Sequence, residues 1–407
     1  MNRKILAVLL AVAMVVCMFS FVACGNNENK GDNGDEGKKD EKVEVKVGFI
    51  FLHDENSTYD KNFMDAAKAA CETMGVEYAQ KTQIPESTKC YDAAVELIEV
   101  DGCNVIFADS FGHESFLMQA AEEYKDVEFC HATGTQAHTA GLANFHNAFA
   151  SIYQGRFLAG VAAGMKLNEM IDAGEIKAEE AKMGYVGAFT FAEVISGYTS
   201  FYLGAKSVCP TVTMDVKFTN SWFDIAAEKE TATALIADGC VLISQHADSE
   251  GAPKACEEAG VPDVAYNLDT RNWGPNTALI ASKINWQPYF EHIITSTQNG
   301  TAIEQDFCKG LADDVVQILG LNDAVAAEGT AEKLEEVKAA LIAGEVKVFD
   351  TDTFTVKGEK LESYLADVDD MGDFVGETEV VADGYFHESE YRSAPYFDID
   401  IDGITLK

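Results

Sequence analysis

The fold is decided by the stretch Val45-Lys46-Val47-Gly48-Phe49-Ile50-Phe51 and by residues 60–74, which follow it after a polar segment. The first stretch is short, apolar and rich in β-branched and aromatic side chains, a composition that predicts a buried strand. Residues 60–74 place apolar side chains on one helical face, among them Phe63, Ala67 and Cys71. A buried strand followed by an amphipathic helix is the first part of a βαβ unit, in which the strands run parallel.

The same alternation continues along the chain to about residue 270. Later strands are predicted at residues 105–108, 183–187, 214–218, 241–244 and 264–267. Helical periodicity separates the later strands at residues 191–208, 225–237 and 251–259. The elements fall into two series, residues 45–155 and 180–270, joined by a Gly- and Ala-rich helical run. We therefore predict an α/β fold with two doubly wound parallel-sheet lobes and a ligand cleft between them.

The first 42 residues are typical of a targeting segment. A charged start and a long apolar run that ends at Ala23 indicate a secretory signal peptide. The segment Phe21-Val22-Ala23-Cys24 resembles a bacterial lipobox, so we predict a signal peptide at residues 1–23 and a lipid, palmitate included, on Cys24. Residues 24–43 would be a flexible acidic linker. An uncleaved transmembrane anchor is the alternative, because the run is about long enough to span a bilayer. Both interpretations place the residues after Cys24 outside the cytoplasm, attached to the cell membrane.

The chain is strongly acidic, with 68 Asp and Glu residues against 30 Lys and Arg residues and a net charge of −38 at pH 7. Nucleic-acid binding requires a basic surface that replaces phosphate counterions, so the composition excludes a nucleic-acid partner. Hydrophobic residues make up 47% of the chain, which is ample for two cores.

Eight cysteines follow Cys24, and none of them belongs to a CxxC pair or stands beside a histidine at metal-ligand spacing. No metal and no cofactor is therefore expected. An extracytoplasmic compartment permits disulfides, but scattered spacing and apolar contexts favour buried free thiols.

Polar and aromatic residues follow the predicted strands, where ligands bind in open α/β sheets. They include Asp54 and Tyr59 after the first strand, Phe111 after the strand at 105–108, Trp222 after 214–218, Asp248 after 241–244, and Asn267 and Asp269 after 264–267. Each has a structural alternative, such as a helix cap or a packed hinge residue. Together they suit a planar ligand that donates hydrogen bonds, such as a nucleobase or nucleoside.

Four segments carry a family resemblance: Tyr185-Val186-Gly187-Ala188-Phe189, Thr219-Asn220-Ser221-Trp222-Phe223-Asp224, Gln245-His246-Ala247-Asp248-Ser249 and Tyr266-Asn267-Leu268-Asp269. They resemble the basic membrane protein (BMP) family, which comprises substrate-binding lipoproteins of ABC transporters. The resemblance extends over roughly residues 45–350. It implies a type I periplasmic-binding-protein fold, a purine base or purine nucleoside as ligand, and ABC permease and ATPase subunits as partners of a monomeric protein.

By position, the resemblance implies that Asp54 and Phe63 contact the ligand, that Trp222 stacks on its ring, and that Asp269 is the carboxylate at the end of the last strand of the second lobe. Tyr59, Phe111, Asp248 and Asn267 would be neighbours of these residues. The first loop and the tryptophan at 222 resemble the branch that binds free bases.

The family pattern also implies lobe boundaries. Lobe 1 would comprise residues 44–155 and about 285–315, and lobe 2 residues 156–284 and about 316–350. Residues 351–407 would form a C-terminal extension of unassigned position. Within it, the alternating segment 398–402 is similar to the start of an EF-hand loop, but alternation also predicts an edge strand, which we favour.

Two other functions fit parts of the sequence. A secreted nucleoside hydrolase, or another carboxylate-dependent glycosidase, would use the aspartates at the strand ends. The acids are spread over both lobes, and G-x-S-x-G is absent from the sequence, so an enzyme is not expected. A sensor lipoprotein that presents its bound ligand to a receptor would need the same two lobes.

Overall fold

The computed structural model describes residues 43–369 and 375–407. In chain order its strands are β1 (Lys46–Ile50), β2 (Glu77–Lys81), β3 (Val105–Ala108), β4 (Glu128–His131), β5 (Phe145–Ala150), β6 (Lys182–Gly187), β7 (Thr213–Phe218), β8 (Leu242–His246), β9 (Asp263–Tyr266), β10 (Ala278–Ile284), β11 (Asp306–Lys309), β12 (Val316–Leu319), β13 (Leu365–Ala366), β14 (Thr378–Glu379), β15 (Val381–Ala382), β16 (Tyr385–Phe386) and β17 (Ile404–Leu406). Its α-helices are α1 (Thr58–Met74), α2 (Thr88–Glu99), α3 (Glu114–Glu123), α4 (Ile152–Asp172), α5 (Ala192–Val208), α6 (Ile225–Ala237), α7 (Gly251–Ala259), α8 (Gln287–Asn299) and α9 (Thr330–Ile342).

Two large sheets form the centres of two lobes. The sheet of lobe 1 has the order β11-β5-β4-β3-β1-β2, and its neighbouring strands are all parallel. The sheet of lobe 2 has the order β12-β10-β9-β8-β6-β7-β17, in which only the pair of β10 and β12 is antiparallel. The predicted α/β class with two doubly wound parallel sheets is confirmed.

The chain crosses between the lobes at three places. It leaves lobe 1 after β5 through α4, returns after β10 through α8, and crosses again between β11 and β12. Each sheet therefore receives strands from distant parts of the sequence, and both sheets present the carboxyl ends of their central parallel strands to the space between the lobes.

Aromatic side chains fill the core of lobe 1 between its sheet and helices α1 and α8. Phe63 stacks on Trp286 at a centroid distance of 4.3 Å, and Phe107 meets Phe290 edge to face at 4.9 Å. All four side chains are almost completely buried. These contacts fix α1, which carries several residues of the site described below.

The Gly- and Ala-rich run predicted between the two series forms α4, which packs against α5. A Cβ atom at Gly160 would overlap the carbonyl oxygen of Phe201, and one at Gly204 would overlap that of Phe157. Glycine at both positions therefore allows the two helix backbones to touch.

The C-terminal extension contacts both lobes. Strand β17 pairs in parallel with β7 at the edge of lobe 2, and the Ser393 N–H donates to Asp306 Oδ1 of β11 in lobe 1 at 3.0 Å. Ile399 and Ile401 are buried, as their alternation predicts. The prediction of an edge strand at 398–402 is wrong, because the strand begins only at Ile404. The Asp402 carboxylate instead accepts hydrogen bonds from the Thr355 hydroxyl and the Gly358 N–H.

The eight cysteines of the described residues are free thiols, and only Cys308 among them is partly accessible. The preference for buried thiols over disulfides is confirmed. The predicted signal peptide, Cys24 and nearly all of the predicted linker lie outside the described residues.

Candidate functional site

A pocket of about 380 Å³ lies between the lobes, at the carboxyl ends of strands from both sheets. We call it the inner pocket. Its lining residues are Leu52, His53, Tyr59, Asp60, Ser110, Phe111 and Thr133 from lobe 1 and Glu193, Trp222, His246, Asp248 and Tyr266 from lobe 2. The mixture of aromatic faces with a few polar groups is typical of a small-molecule site.

Helix α1 begins with a capping arrangement that fixes Asp60. Ser57 is the N-cap and accepts from the Asp60 N–H at 3.2 Å, while its hydroxyl donates to Asp60 Oδ2 at 2.5 Å. Asp60 Oδ1 accepts from the His53 N–H at 2.6 Å, and the His53 ring nitrogen Nδ1 lies 3.2 Å from Oδ2. This reciprocal bonding holds one carboxylate and one imidazole at the lobe 1 wall.

A second carboxyl group, that of Asp109, lies next to Asp60 beneath the lobe 1 wall. Complete burial, followed by the charge of Asp60, raises the pKa of Asp109 well above its usual range. Two neighbouring buried carboxyl groups cannot both ionise at ordinary cost, so the protonated form of Asp109 is favoured. The Tyr59 hydroxyl donates to the Asp109 backbone carbonyl at 2.8 Å, which positions the phenol ring.

The lobe 2 wall combines carboxylates with aromatic rings. Burial first, and then the charge of Glu228, raises the pKa of Asp248 well above its usual range. His246 Nε2 lies 3.4 Å from Glu193 Oε1, and the His246 ring lies 4.7 Å from the ring of Tyr266. Trp222 is half-buried beside these groups.

A buried cation lies behind this wall. The Arg156 guanidinium donates to the hydroxyls of Tyr185 and Ser244, both at 2.9 Å, and lies 5.2 Å from the centroid of the Tyr266 ring. It also donates to the carbonyls of Ala265 and Gln245. Arg156 thus joins the carboxyl ends of β8 and β9 and supports Tyr266 from below.

The two walls meet directly. The Thr58 N–H of lobe 1 donates to the Asp248 carbonyl of lobe 2 at 2.8 Å. Phe111 of lobe 1 stacks on Phe191 of lobe 2 at 5.0 Å with an interplanar angle of 29°. The lobes are therefore in contact around the inner pocket.

Four of the eight predicted site residues line the inner pocket, namely Tyr59, Phe111, Trp222 and Asp248. Phe63 lies in the core of lobe 1 beneath Tyr59, at a centroid distance of 4.9 Å. Asn267 is buried with a φ of 69°, and its side-chain nitrogen has no hydrogen-bond partner within the described residues.

Asp54 and Asp269 line another cavity between the lobes, which also contains Trp273. Asp54 accepts from the side chains of Asn56 and Gln83. Asp269 forms an ion pair with Arg271 at 2.5 Å. Both carboxylates therefore have polar partners outside the inner pocket.

Sequence reasoning did not select several lining residues of the inner pocket. Asp60 is not the helix cap but lies in the first turn of α1, and bonds from the N-cap Ser57 and from His53 fix its carboxylate at the pocket. His246 and Tyr266 are the last residues of β8 and β9, so the rule that ligands bind at strand ends could have identified them. Glu193 begins a helix, and no local pattern distinguishes it from a capping acid.

Among the described residues, Asp367, Asp369 and Glu377 bring carboxylate oxygens within 4.8 Å of one another and could hold a cation. Acidic clusters at a surface are common without an ion, and the group carries no assignment.

Two lobes that enclose a polar and aromatic pocket at their strand ends define a solute-binding protein. The match to a family model is specific: residues 49–351 fit that of the ABC transporter substrate-binding proteins described as PnrA-like, the Bmp family. The chain belongs to this family, as its resemblance to basic membrane proteins predicted. The family is extracytoplasmic. Within residues 43–369 and 375–407, the helices are too short or too polar to cross a bilayer.

Three named relatives match this chain over half of its length or more. A purine-binding protein of Brucella abortus (strain 2308) is 30% identical over 80% of this chain and 93% of its own. A putative ABC transporter glucose-binding protein of Haloferax volcanii is 34% identical over 52% of this chain and 50% of its own. The ABC transporter nucleoside-binding protein BmpA of Lactococcus lactis subsp. cremoris is 24% identical over 62% of this chain and 67% of its own.

Solved structures support the fold. The solute-binding protein of an ABC transporter system from Conexibacter woesei DSM 14684 superposes with a TM-score of 0.60 at 17% identity and covers 74% of this chain and 98% of its own. The predicted type I periplasmic-binding-protein fold is confirmed.

Proposed function

We propose that this chain is a lipid-anchored substrate-binding protein of an ABC importer, which binds a purine base or purine nucleoside between its lobes and delivers it to the permease. The inner pocket is the observation that carries the proposal. Its position between two lobes allows one ligand to contact both, so binding favours the closed arrangement that a permease would recognise.

The chemistry of the pocket favours a flat ligand rich in N–H groups. Trp222, Tyr59 and Phe111 supply aromatic surface on which a ring can stack. Asp60, Glu193 and Asp248 supply carboxyl oxygens that accept hydrogen bonds from amino and ring N–H groups. The lining residues within the described part of the chain include neither lysine nor arginine, so an anionic ligand fits poorly.

The relatives named for purine and nucleoside binding support this ligand class, and the purine-binding one spans nearly the whole of both chains. One relative is named for glucose binding, which makes a sugar a candidate ligand. It ranks second because that relative matches only about half of either chain. Aromatic faces and carboxylates can also hold a sugar, which makes this alternative worth testing directly.

The proposal assigns ligand contact to Tyr59, Phe111, Trp222 and Asp248, together with Asp60 and Glu193. It keeps Asp54 and Asp269 as residues of the neighbouring cavity and Phe63 and Asn267 as supports of the walls. No chemical conversion of the ligand is part of the proposal. Cys24 would carry the lipid that holds a monomeric protein at the cell membrane.

Calorimetric titration of the lipid-free protein tests the proposal. The panel comprises adenine, guanine and hypoxanthine, their nucleosides, glucose and several amino acids, with chromatography of each mixture afterwards. We expect binding of purines only and unchanged ligands. Exclusive binding of glucose would contradict the purine assignment, whereas release of free base from a nucleoside would favour a hydrolase.

A further inference from the structure

The strand ends of lobe 1 are joined by a buried carboxylate that does not itself line the inner pocket. Glu114 is the first residue of α3 and is only 4% exposed. Its Oε1 accepts from the backbone N–H groups of Thr135 at 2.8 Å and Gln136 at 2.9 Å, and from Asn147 Nδ2 at 3.1 Å. Its Oε2 accepts from the Thr135 hydroxyl at 3.3 Å and from the Gln136 side-chain amide at 3.2 Å. One side chain therefore connects α3, the loop after β4 and strand β5.

The loop after β4 brings Thr133 to the wall of the inner pocket. The two backbone N–H groups that Glu114 accepts belong to residues two and three positions beyond Thr133. Hydrogen bonds to a carboxylate are stronger than those between neutral groups, and burial strengthens them further. Glu114 therefore fixes the loop directly after the residue that faces the pocket.

Gly134 allows this loop to approach the carboxylate closely. A Cβ atom at this position would overlap Glu114 Oε1, Asn147 Oδ1 and His131 Nδ1. Any side chain here would displace one of these groups, whereas glycine permits the close approach. The path of the loop therefore depends on both the glycine and the carboxylate.

The end of β3 is tied to the end of β4. His131, the last residue of β4, is completely buried, and its Nε2 lies 2.7 Å from the Ser110 carbonyl oxygen. A carbonyl oxygen only accepts, so Nε2 donates this bond. Ser110 and Thr133 both line the inner pocket. This part of the lobe 1 wall is therefore one connected unit, and Glu114 anchors it.

We propose that Glu114 is a positioning residue of the ligand site, which does not touch the ligand but holds the loop after β4 so that Thr133 meets it. The inference rests on the proposed function and deepens it, because it assigns part of the affinity to a residue outside the inner pocket. A contact group that is held in place loses less conformational freedom on binding, so its contact contributes more to affinity. A loop released from Glu114 would have to be ordered again by the ligand.

A double-mutant cycle between Glu114 and Thr133 tests the inference. Glu114→Ala releases the loop, and Thr133→Val removes the hydroxyl at nearly unchanged side-chain volume. The two single variants, the double variant and the wild type are titrated by calorimetry with adenine, guanine and hypoxanthine, each as full-length, lipid-free protein. Thermal unfolding of the same samples reports stability separately.

We expect the two substitutions to be strongly coupled in ligand binding. Thr133→Val should weaken purine binding about threefold to tenfold, as for one lost hydrogen bond. Glu114→Ala should weaken it at least about fivefold in the wild-type background and less than about twofold in the Thr133→Val background, where the loop has no hydroxyl to place. A residue with a purely structural role would change the affinity by the same factor in both backgrounds, or not at all.

Glu388→Ala is the matched control. The Glu388 carboxylate is also buried, and it accepts from the backbone N–H groups of Ser389 at 3.0 Å, Tyr396 at 2.8 Å and Phe397 at 3.0 Å. It holds the C-terminal extension and does not line the inner pocket. Its loss should lower the melting temperature, as the loss of Glu114 does, but leave purine affinity within about twofold.

Two conservative variants complete the series. Glu114→Gln retains an oxygen that can accept from both backbone N–H groups, so it should recover most of the affinity lost in Glu114→Ala. Glu114→Asp keeps the charge but withdraws it from the loop by one methylene group. It should weaken binding to an intermediate degree, and it takes the place of Glu114→Ala in the cycle if that variant does not fold.

The outcomes separate the two proposals. Equal factors in the two backgrounds, or a lower melting temperature with unchanged affinity, would overturn the positioning role and leave the proposed function intact. If wild-type protein binds glucose and no purine, the purine assignment fails, and the same cycle titrated with glucose decides the positioning role. If it binds none of these ligands, both proposals fail.

Discussion

Trp222 presents a half-buried indole to the inner pocket from the loop after β7. Its ring meets Phe189 edge to face at 5.0 Å, which holds it in place and leaves surface for the ligand. We predict that Trp222→Ala lowers purine affinity by about 1–3 kcal/mol, the range measured for stacking of a base on an aromatic side chain. Calorimetric titration measures this loss.

Trp273 provides the matched control for that prediction. It is also partly exposed between the lobes, but it lines the neighbouring cavity together with Asp54 and Asp269. Trp273→Ala should leave purine affinity within about twofold. If Trp273→Ala weakens binding and Trp222→Ala does not, the ligand occupies the neighbouring cavity and the original assignment of Asp54 and Asp269 is right.

Asp263 makes stability depend on pH. It is buried at the start of β9, and this burial raises its pKa from 3.8 to about 7, although Thr270 donates to Oδ2. The folded state therefore holds the proton more tightly than the unfolded state. Raising the pH from about 4 to about 7 therefore lowers the free energy of unfolding by at most about 4 kcal/mol. Above about pH 7 the contribution of Asp263 no longer changes.

Asp263→Asn should remove this dependence, because asparagine has no proton to lose. Thermal unfolding across pH 4–8 checks it: the melting temperature of the variant minus that of the wild type should rise with pH and become constant above about 7. Asp172→Asn, an exposed position at the end of α4, is the control and should give a much flatter difference. A constant difference for Asp263→Asn would show that Asp263 ionises normally.

At the residue scale, the sequence predicted the position of the inner pocket better than the residues that line it. The strand-end rule brought Tyr59, Phe111, Trp222 and Asp248 to one pocket. Phe63 was assigned to the site by the family resemblance, but it lies one helical turn beyond Tyr59, where the same face of α1 meets the core.

At the scale of elements, apolar stretches predicted strands β1, β3, β6, β7, β8 and β9 within a residue or two, since a strand buried on both faces is apolar throughout. The interior strands β4, β5 and β10 were not predicted. Helices at 225–237 and 251–259 have the predicted bounds. Strand β2, with the sequence Glu-Tyr-Ala-Gln-Lys, escaped notice because it is a partly exposed edge strand. Its polar composition carries little of the hydrophobic pattern from which strands are recognised.

The contact between α4 and α5 gives a prediction at this scale. Gly160→Ala would push a methyl group into the Phe201 carbonyl, and the helices would have to separate. We expect destabilisation by about 1–3 kcal/mol, as for overpacked cores, seen as a lower melting temperature. Gly204→Ala tests the reciprocal contact with Phe157 and should have a similar effect. An unchanged melting temperature for both variants would mean that the helices do not touch.

At the scale of the whole molecule, local patterns predicted two lobes but not how the chain distributes its later strands. Strand β11 joins lobe 1 and β12 joins lobe 2, although only a few residues separate them. The extension likewise returns to the edge of lobe 2 through β17, nearly 190 residues after its partner β7. Such long-range pairing depends on tertiary packing, which short sequence windows do not encode.

Attachment of the whole protein to the membrane through Cys24 is also testable. A binding protein that diffuses away from its permease delivers ligand inefficiently, whereas a lipid on Cys24 and the linker that follows would keep it close. Stable anchoring requires more than one acyl chain, as a lipid-modified cysteine provides. Cys24→Ala should therefore move the protein from the membrane fraction to the soluble or secreted fraction, while the purine affinity measured by calorimetry stays unchanged.

Cys71→Ala, at a buried thiol of α1, is the control and should leave the protein on the membrane. If the Cys24 variant remains in the membrane fraction after a high-salt wash, the apolar run before it is an uncleaved anchor and the lipid assignment fails.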